Sequence, residues 1–378
     1  MHEYDIIIIG AGPSGCATAI ELANRDQNLA PRVLLLDKAV FPRVKLCAGG
    51  LTSDADRTLS ELEVHIDLPA IPVNLSKFLL PSGCLLFEKS NHFRVIRRDK
   101  FDNLLFRTAS ERGVVAKDGE EVISIVYTAR EVIVRTPKED YIAKVVVGAD
   151  GAHSLVRQAI GLIRRDRLMV GMEIIARFDS SLLTNIDENM AVFDVSITSR
   201  GLPGYCWIFP SLYEEYPAFS LGVMAATSRK SETVPVKAIF REWLANYGVD
   251  VHEFDPKSHP ILRYEPRAPS SIHRVVLTGD AAGIDPLFGE GIFSALALGR
   301  LTGHCVADAL KKNDFRFSQY EKQIRSSSIG SIMRRRRLLA KRLYAHPKLA
   351  QQLLQYGSLL KWIALLQLQK GKLRWEPY

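Results

Sequence analysis

The chain has 378 residues, of which 47% are hydrophobic and 24% charged. That composition excludes the disordered, collagenous and disulfide-scaffold classes, and the length suits two closely packed domains around a large core. The net charge of +8 belongs to a tail, because Ser331 to Tyr378 carries +10 and the remainder −2, so an anionic surface is the expected local partner rather than a generally sticky protein.

Tyr4 to Ile9 is an apolar run but for Asp5, as expected of a strand buried on both faces. Gly10-Ala11-Gly12-Pro13-Ser14-Gly15 follows, and Cys16 to Arg25 has helix-forming composition. Arg32 to Leu36 is a second short strand that ends at Asp37 and Lys38. Phe101 to Arg112 predicts an amphipathic helix, Val122 to Tyr127 and Glu131 to Arg135 neighbouring strands, and Lys144 to Ala149 a further buried strand. Residues 165 to 265 alternate short apolar runs with turn residues and predict a β-rich region. Val275 to Thr278 is again a buried strand, followed by a glycine-rich turn and a helix through Leu301. No apolar run reaches about 18 residues, so no membrane span is expected. Residues Met1 to Asp5 lack a basic region, which predicts no secretory signal and a cytoplasmic protein. The scattered cysteines Cys16, Cys47, Cys84, Cys206 and Cys305 suit reduced thiols, and neither they nor the histidines have metal-ligand spacing, so no metal is expected.

Gly10, Gly12 and Gly15 form GxGxxG between a strand and a helix. Gly10 permits the tight turn, Gly12 lets a pyrophosphate approach the backbone, and Gly15 lets the helix pack closely on the strand. The helix N-terminus, with Pro13 and Ser14, favours the phosphate charge. Asp37 lies about 20 residues on, where a carboxylate accepts from a ribose hydroxyl.

Two further glycine turns occur, Gly148-Ala149-Asp150-Gly151 with His153 close behind, and Gly279-Asp280-Ala281-Ala282-Gly283 followed by Pro286, Gly289, Glu290, Gly291 and Ile292. With GxGxxG first, DG in mid-chain and GDAA late, the chain resembles the FAD-dependent oxidoreductases of the p-hydroxybenzoate-hydroxylase fold. The resemblance implies an α/β fold: a Rossmann-like FAD-binding domain with an interleaved β-rich substrate domain and a C-terminal helical region. It implies FAD-binding parts at 1–75, 96–160 and 271–310, substrate parts at 76–95 and 161–270, and the basic helical region at 311–378. It also implies that Asp150, Gly279 and Asp280 border the cofactor. Asp280 would bind its ribityl or ribose hydroxyls, and the loop from Pro286 to Gly291 with Ile292 would turn N–H groups to the flavin pyrimidine. A helix N-terminus there suits the negative charge of reduced flavin. Arg98, ahead of Phe101-Asp102, matches the family's Arg-x-x-Phe-Asp and would approach the cofactor; a surface charge at a helix start is the other reading.

Two segments narrow the resemblance. Lys45-Leu46-Cys47-Ala48-Gly49-Gly50-Leu51 is similar to the Cys-x-Gly-Gly segment of geranylgeranyl reductases. Pro203-Gly204-Tyr205-Cys206-Trp207-Ile208-Phe209-Pro210 resembles their Pro-x-x-Tyr-x-Trp-x-Phe-Pro signature, except that the leading proline stands one residue closer to the tyrosine. This resemblance implies a flavin-dependent reductase of isoprenoid carbon–carbon double bonds. Tyr205, Trp207 and Phe209 alternate, so on a strand they share one face. Such a stripe suits a sandwich core, but beside a flavin it binds an apolar polyene and excludes water. Cys47 is flanked by glycines that let the backbone approach a flat ring, and nearby Lys45 would favour its thiolate; a small buried thiol is the alternative. Cys47, Tyr205 and Trp207 are the candidate catalytic residues.

The same fold also hosts monooxygenases and halogenases, the alternative enzyme class, but Trp207 to Pro210 matches the halogenase tryptophan motif poorly. A third reading is a flavoprotein that relays electrons. No second GxGxxG is present, so the expected electron donor is NAD(P)H docking transiently or a reduced ferredoxin, an acidic carrier. Arg334 to Arg337 predict peripheral membrane contact. Leu349 to Leu368 has helix-like apolar spacing and suits a helix packed on the body or on a bilayer. No module for nucleic acid accompanies the arginines, so none is expected as partner.

Overall fold

The structure is a computed structural model and describes residues 2–162, 168–176, 186–213, 216–226, 235–249, 256–345 and 372–377. The first third runs β1 (His2–Ile9), α1 (Pro13–Arg25), β2 (Val33–Leu36), β3 (Gly50–Thr52), α2 (Ser53–Glu61), β4 (Ala70–Leu80), β5 (Gly83–Ile96) and α3 (Arg98–Glu111). The middle continues with β6 (Val115–Lys117), β7 (Ser124–Tyr127), β8 (Val132–Arg135), β9 (Asp140–Gly148), α4 (Leu155–Ala159), β10 (Leu168–Ala176) and β11 (Met190–Asp194). Then come β12 (Gly204–Tyr213), β13 (Tyr216–Ala226), α5 (Val236–Ala245), β14 (Lys257–Leu262), β15 (Ser271–Ile272) and β16 (Val275–Leu277). The chain closes with α6 (Gly291–Lys312), α7 (Tyr320–Ser326), α8 (Ser328–Ala345) and β17 (Lys372–Pro377).

The strands form two sheets. The first has eight strands, in the order β15-β16-β9-β1-β2-β6, with the β7–β8 hairpin joined to β9 through β8. Its centre is parallel: Ile6 to Ile9 of β1 pair with Val33 to Leu36 of β2 on one side and with Val145 to Gly148 of β9 on the other. The apolar run of β1 serves both faces. Ile6 and Ile8 join the core under α1, α3 and α6, while Ile7 and Ile9 join Tyr141, Val156 and Ile160 on the opposite face. A strand covered on both sides has no polar face to alternate with. α6 crosses α1 at Gly299 and Gly303, where a Cβ would collide with the Ser14 carbonyl and the Glu21 side chain. Thr18 Oγ1 donates across that contact to the Gly299 carbonyl at 3.0 Å.

The second sheet has nine strands, in the order β14-β10-β13-β12-β11-β4-β5-β17, with β3 added on β5. One face packs on α5, where Phe240 and Trp243 meet Cys206, Ile208, Leu221 and Val223. The other face carries Tyr205, Trp207, Phe209, Phe93 and Met224. The mixed α/β class is therefore as expected, with a helical region toward the C-terminus. The sequence reading places no helix between 165 and 265, where α5 lies, and α6 runs eleven residues beyond Leu301, to Lys312. β4 enters the second sheet at Ala70. The expected helical tail ends in a strand, β17, which pairs antiparallel with β5. The segment Leu349 to Leu368 lies outside the described residues. Among the described residues no helix is long and apolar enough to cross a membrane.

Candidate active site

A cavity of about 850 Å³ runs between the two sheets. At one end it meets the carboxyl ends of β1 and β2 and the turn after β9. At the other it meets the aromatic face of the second sheet. A crevice at the carboxyl ends of parallel strands is where such sheets bind ligands.

The first end is built by glycine. Gly10 takes φ +99°, and a Cβ there would strike the Ala149 carbonyl; one on Gly15 would strike the Gly10 carbonyl. A Cβ on Gly12, by contrast, would meet nothing nearer than Arg43 Nη2 at 3.8 Å. Two glycines thus close the turn on itself, and the third leaves the N-terminus of α1 open to the cavity. Asp37 holds this turn: its carboxylate accepts the N–H groups of Ala11 at 2.7 Å and Ala39 at 2.9 Å. Asp150 borders the cavity, and its Oδ1 atom is buried without a hydrogen-bond partner. An unpaired buried carboxylate oxygen calls for a donor. Burial pushes the Asp150 and Asp280 carboxyls up, opposed at Asp280 by Lys45 and Arg98.

Between the two ends lies a cluster of cations. Asp102, fully buried at the N-terminal end of α3, accepts from Arg98 at 2.9 and 3.0 Å and meets Arg43 at 3.1 Å. Arg98 is therefore a buried cavity residue and not a surface charge. Burial opposes its charge, but Asp102 and the neighbouring Cys47 thiol outweigh that, and its pKa lies above the ordinary guanidinium value. Arg98 and Lys45 both lie within electrostatic reach of the Cys47 thiol. Lys45 turns its Nζ to the His259 ring, 2.8 Å from Nε2. Burial, with Arg98 next, brings Lys45 down to about 8; burial, with Lys45 next, brings His259 down to about 3.

At the second end Cys47 accepts the Gly49 N–H at 3.4 Å, and Ala48, Gly49 and Gly50 line the wall. Tyr205, Trp207 and Phe209 all face the cavity, and Cys206 points away into the other core. Tyr205 donates to the Phe288 carbonyl at 2.6 Å, which ties the aromatic wall to the Pro286–Gly291 loop. Burial holds the Tyr205 phenol well above its ordinary pKa. Phe193 extends the wall, 5.1 Å from Phe209 and stacked 4.9 Å from Phe78.

The loop before α6 is shaped by Asp285, whose carboxylate accepts the N–H groups of Leu287 at 2.9 Å and of Phe288 and Glu290 at 3.2 Å. Arg336 of α8 closes the arrangement, 2.8 Å from Asp285 and 2.5 Å from Glu290, at 3% exposure. The expected basic cluster is thus divided. Arg336 is buried against this loop, Arg337 pairs with Glu265, Arg334 donates to the Arg325 carbonyl, and Arg335 is exposed.

Of the expected cofactor residues, Gly10, Gly12, Pro13, Ser14, Asp37, Lys38, Cys47, Ala48, Gly49, Arg98, Asp150, Asp280, Gly289, Gly291 and Ile292 border the one cavity. Gly15, Gly279 and Pro286 do not. Gly15 packs on Gly10, Gly279 at φ +57° packs on Ser14, and Pro286 is buried under its loop. Sequence reasoning missed Arg43, Glu173, Phe193, His259 and Arg336, all of which border the same space. A lone acid within the apolar run of β10 was the one available signal, for Glu173. Among the described residues no group of His, Cys, Asp or Glu is placed to hold a metal ion.

The open backbone at Gly12, the donorless Asp150 oxygen and the Arg43–Lys45–Arg98 cations together fit a dinucleotide with a charged pyrophosphate. The family model described as an FAD binding domain matches residues 74–296. A digeranylgeranylglycerophospholipid reductase of Methanocella arvoryzae is 27% identical over 344 residues, 86% of this chain and 83% of that protein. The solved structure of a geranylgeranyl bacteriochlorophyll reductase-like protein from Thermoplasma acidophilum has a TM-score of 0.79 at 20% identity, covering 96% of each chain. A halogenase solved with phloroglucinol and FAD has a TM-score of 0.68 at 15% identity, covering 91% of this chain and 76% of that one. Reductase and halogenase thus share this fold. With more than half of its length inside the family match, the chain belongs to the FAD binding domain family and is an FAD-dependent oxidoreductase.

Proposed function

We propose that the protein saturates carbon–carbon double bonds of a geranylgeranyl or related isoprenoid chain carried on a lipid. One observation carries the reading: the glycine turn and the Tyr205–Trp207–Phe209 face border a single cavity, so an apolar chain lying on the aromatics is brought to the ligand held at the turn. The relative named as a digeranylgeranylglycerophospholipid reductase supports the same choice of substrate class.

Reduced FAD supplies a hydride equivalent in such a reaction, and the chain's own residues supply the rest. Gly12 and the α1 N-terminus would receive the pyrophosphate, and Arg43 and Arg98 would balance its charge. The Asp285-ordered loop fixes Gly289 and Gly291 at the cavity wall, where they would help hold the flavin. Tyr205, Trp207, Phe209 and Phe193 hold the apolar chain and exclude water, and holding two reactants in register removes much of the entropic barrier. NAD(P)H or a reduced ferredoxin delivers the electrons. The exposed Arg335, Leu338, Lys341 and Arg342 of α8 present a basic, partly apolar face suited to an acidic carrier or an anionic bilayer surface.

The test is mass spectrometry of prenyl diphosphates, prenyl quinones and digeranylgeranyl phospholipids incubated anaerobically with dithionite-reduced, FAD-loaded protein. A gain of one H2 per double bond is expected. No mass change in any of them, combined with NAD(P)H-driven oxygen consumption on an aromatic compound, overturns the reading in favour of a monooxygenase or halogenase.

A further inference from the structure

β10 is an apolar strand with one acid in it. Glu173 lies 4% exposed and borders the cavity. Strand register determines its surroundings. Glu173 pairs with Gly222 of β13, and Gly222 pairs on its other side with Trp207 of β12. Any side chain on Gly222 would overlap the Trp207 ring, so the glycine lets the indole lie across β13 toward the acid. The Trp207 Nε1–H donates to Ser220 Oγ at 3.0 Å, and the Ser220 hydroxyl donates to Glu173 Oε1 at 2.5 Å. An indole N–H is only a donor, so Ser220 must accept from it and spend its own hydrogen on Glu173. Oε1 is then an acceptor. In the neutral acid the proton sits on Oε2, the oxygen with no hydrogen-bond partner in the structure.

The electrostatics agree with this geometry. Burial raises the Glu173 pKa above the ordinary carboxyl value. The Ser220 hydroxyl, the Cys47 N–H facing the carboxyl outside hydrogen-bond geometry, and the Arg98 and Arg97 charges oppose the shift without cancelling it. Lys257, its register partner on β14, is exposed, and His259 farther along β14 is held neutral by burial.

We propose that Glu173 is the proton donor of the reductase reaction, handing its Oε2 proton to the alkene carbon that does not receive the hydride. The balance is simple. A hydride equivalent from reduced FAD forms one C–H bond, and the π pair of the alkene forms the second with the Glu173 proton. The Glu173 O–H bond breaks, the alkene is reduced by two electrons, the flavin is oxidised by two, and solvent returns one proton to the carboxylate before the next turnover. The groups that fail to ionise Glu173 at rest stabilise the carboxylate once the proton has left: Ser220 backed by Trp207, the Cys47 N–H and Arg98. Trp207 then has a role besides its hydrophobic face, as the donor that sets the direction of the chain.

This assignment rests on the reductase reading, and the experiment separates the two. FAD-loaded wild type and Glu173→Gln are compared in single-turnover reduction of a prenyl substrate after dithionite reduction, across pH, together with the infrared C=O band of a neutral carboxylic acid. Glu173→Gln is expected to retain FAD and its reduction by dithionite, to lose the infrared band, and to saturate the alkene about 100-fold more slowly. It is also expected to lose the alkaline limb along which wild-type activity falls as pH rises through the Glu173 pKa. Ser220→Ala serves as the second variant: removing a stabiliser of the carboxylate should move that limb to higher pH. A Glu173→Gln enzyme with the wild-type rate and pH profile, or a Ser220→Ala enzyme with an unmoved limb, overturns the assignment while leaving the reductase reading standing. A wild type that shows the infrared band but reduces no prenyl compound removes the reductase reading instead.

Discussion

Gly12 and Gly15 belong to one motif but face opposite constraints. A methyl on Gly15 would overlap the Gly10 carbonyl, so Gly15→Ala should destabilise the folded chain itself by about 1–3 kcal/mol, the cost of overpacking. A methyl on Gly12 meets nothing within 3.8 Å and projects toward the cavity. Gly12→Ala should therefore leave the thermal midpoint of the FAD-stripped protein unchanged while weakening FAD about tenfold or more, on the order of 1.4 kcal/mol. Midpoints and FAD titrations of both variants check the pair, and equal loss of stability in both would contradict this division of roles. These glycine positions were legible in the sequence because a turn that passes under a phosphate has few solutions, and its spacing shows them. Glu173 was not legible. The lone acid in the apolar run of β10 marks the position, but its partners Ser220 and Trp207 lie on two other strands, so no local pattern assigns it a role. Arg98 was legible only as a motif match, because its burial depends on Asp102 one helical turn on and on Arg43 from a separate loop.

At the scale of elements, α8 is where sequence and structure part most. Four consecutive arginines read as a like-charge run on one surface, yet successive helical residues point about 100° apart, so a run must distribute itself around the helix. Arg336 turns inward to Asp285 and Glu290, Arg337 turns to Glu265, and Arg335 faces solvent. The carboxylates that receive Arg336 come from the loop before α6, with no local sequence signal linking the two. α8 is thereby coupled to the loop before α6, since Asp285 orders Leu287, Phe288 and Glu290 and Tyr344 of the same helix donates to the Leu287 carbonyl at 2.6 Å. Arg336→Met should leave the buried Asp285 and the half-buried Glu290 without their cation, at a cost of about 3–5 kcal/mol. Arg335→Ala should stay within about 0.5 kcal/mol of wild type. Urea midpoints of the two variants test this, and a difference smaller than about 1 kcal/mol between them would remove the buried network from the account. The central strands β1, β2, β9 and β16 of the first sheet, by contrast, were read close to their observed positions, because burial on both faces leaves continuous apolar runs that local inspection recognises, whereas the short β6 and β15 were not read.

For the whole molecule, what the sequence hid is how the second sheet is assembled. β4 pairs in parallel with β11, and β17 joins β5 from the far end of the chain. Neither pairing follows from local pattern, and the first sets Phe78 beside Phe193 on the wall that closes the cavity. The closure has a global consequence in acid. His92, on β5, and His259, on β14, both border the cavity, and burial lowers them from the ordinary 6.5 to about 4 and about 3. Lys89 adds to the shift at His92, and Lys45 at His259. Between pH 6.5 and these folded-state values the unfolded chain binds protons that the folded chain refuses, so the unfolded state gains as pH falls. The stability that both neutral imidazoles contribute is complete above about pH 6.5 and declines below it, each histidine adding a slope of up to about 1.4 kcal/mol per pH unit. The thermal midpoint should fall accordingly from pH 6.5 toward pH 4, and His92→Gln with His259→Gln, which cannot take up the proton, should flatten that part of the curve. An unchanged slope in the double variant would mean that the cavity wall leaves both rings free to charge, and would place the acid sensitivity on the carboxylates instead.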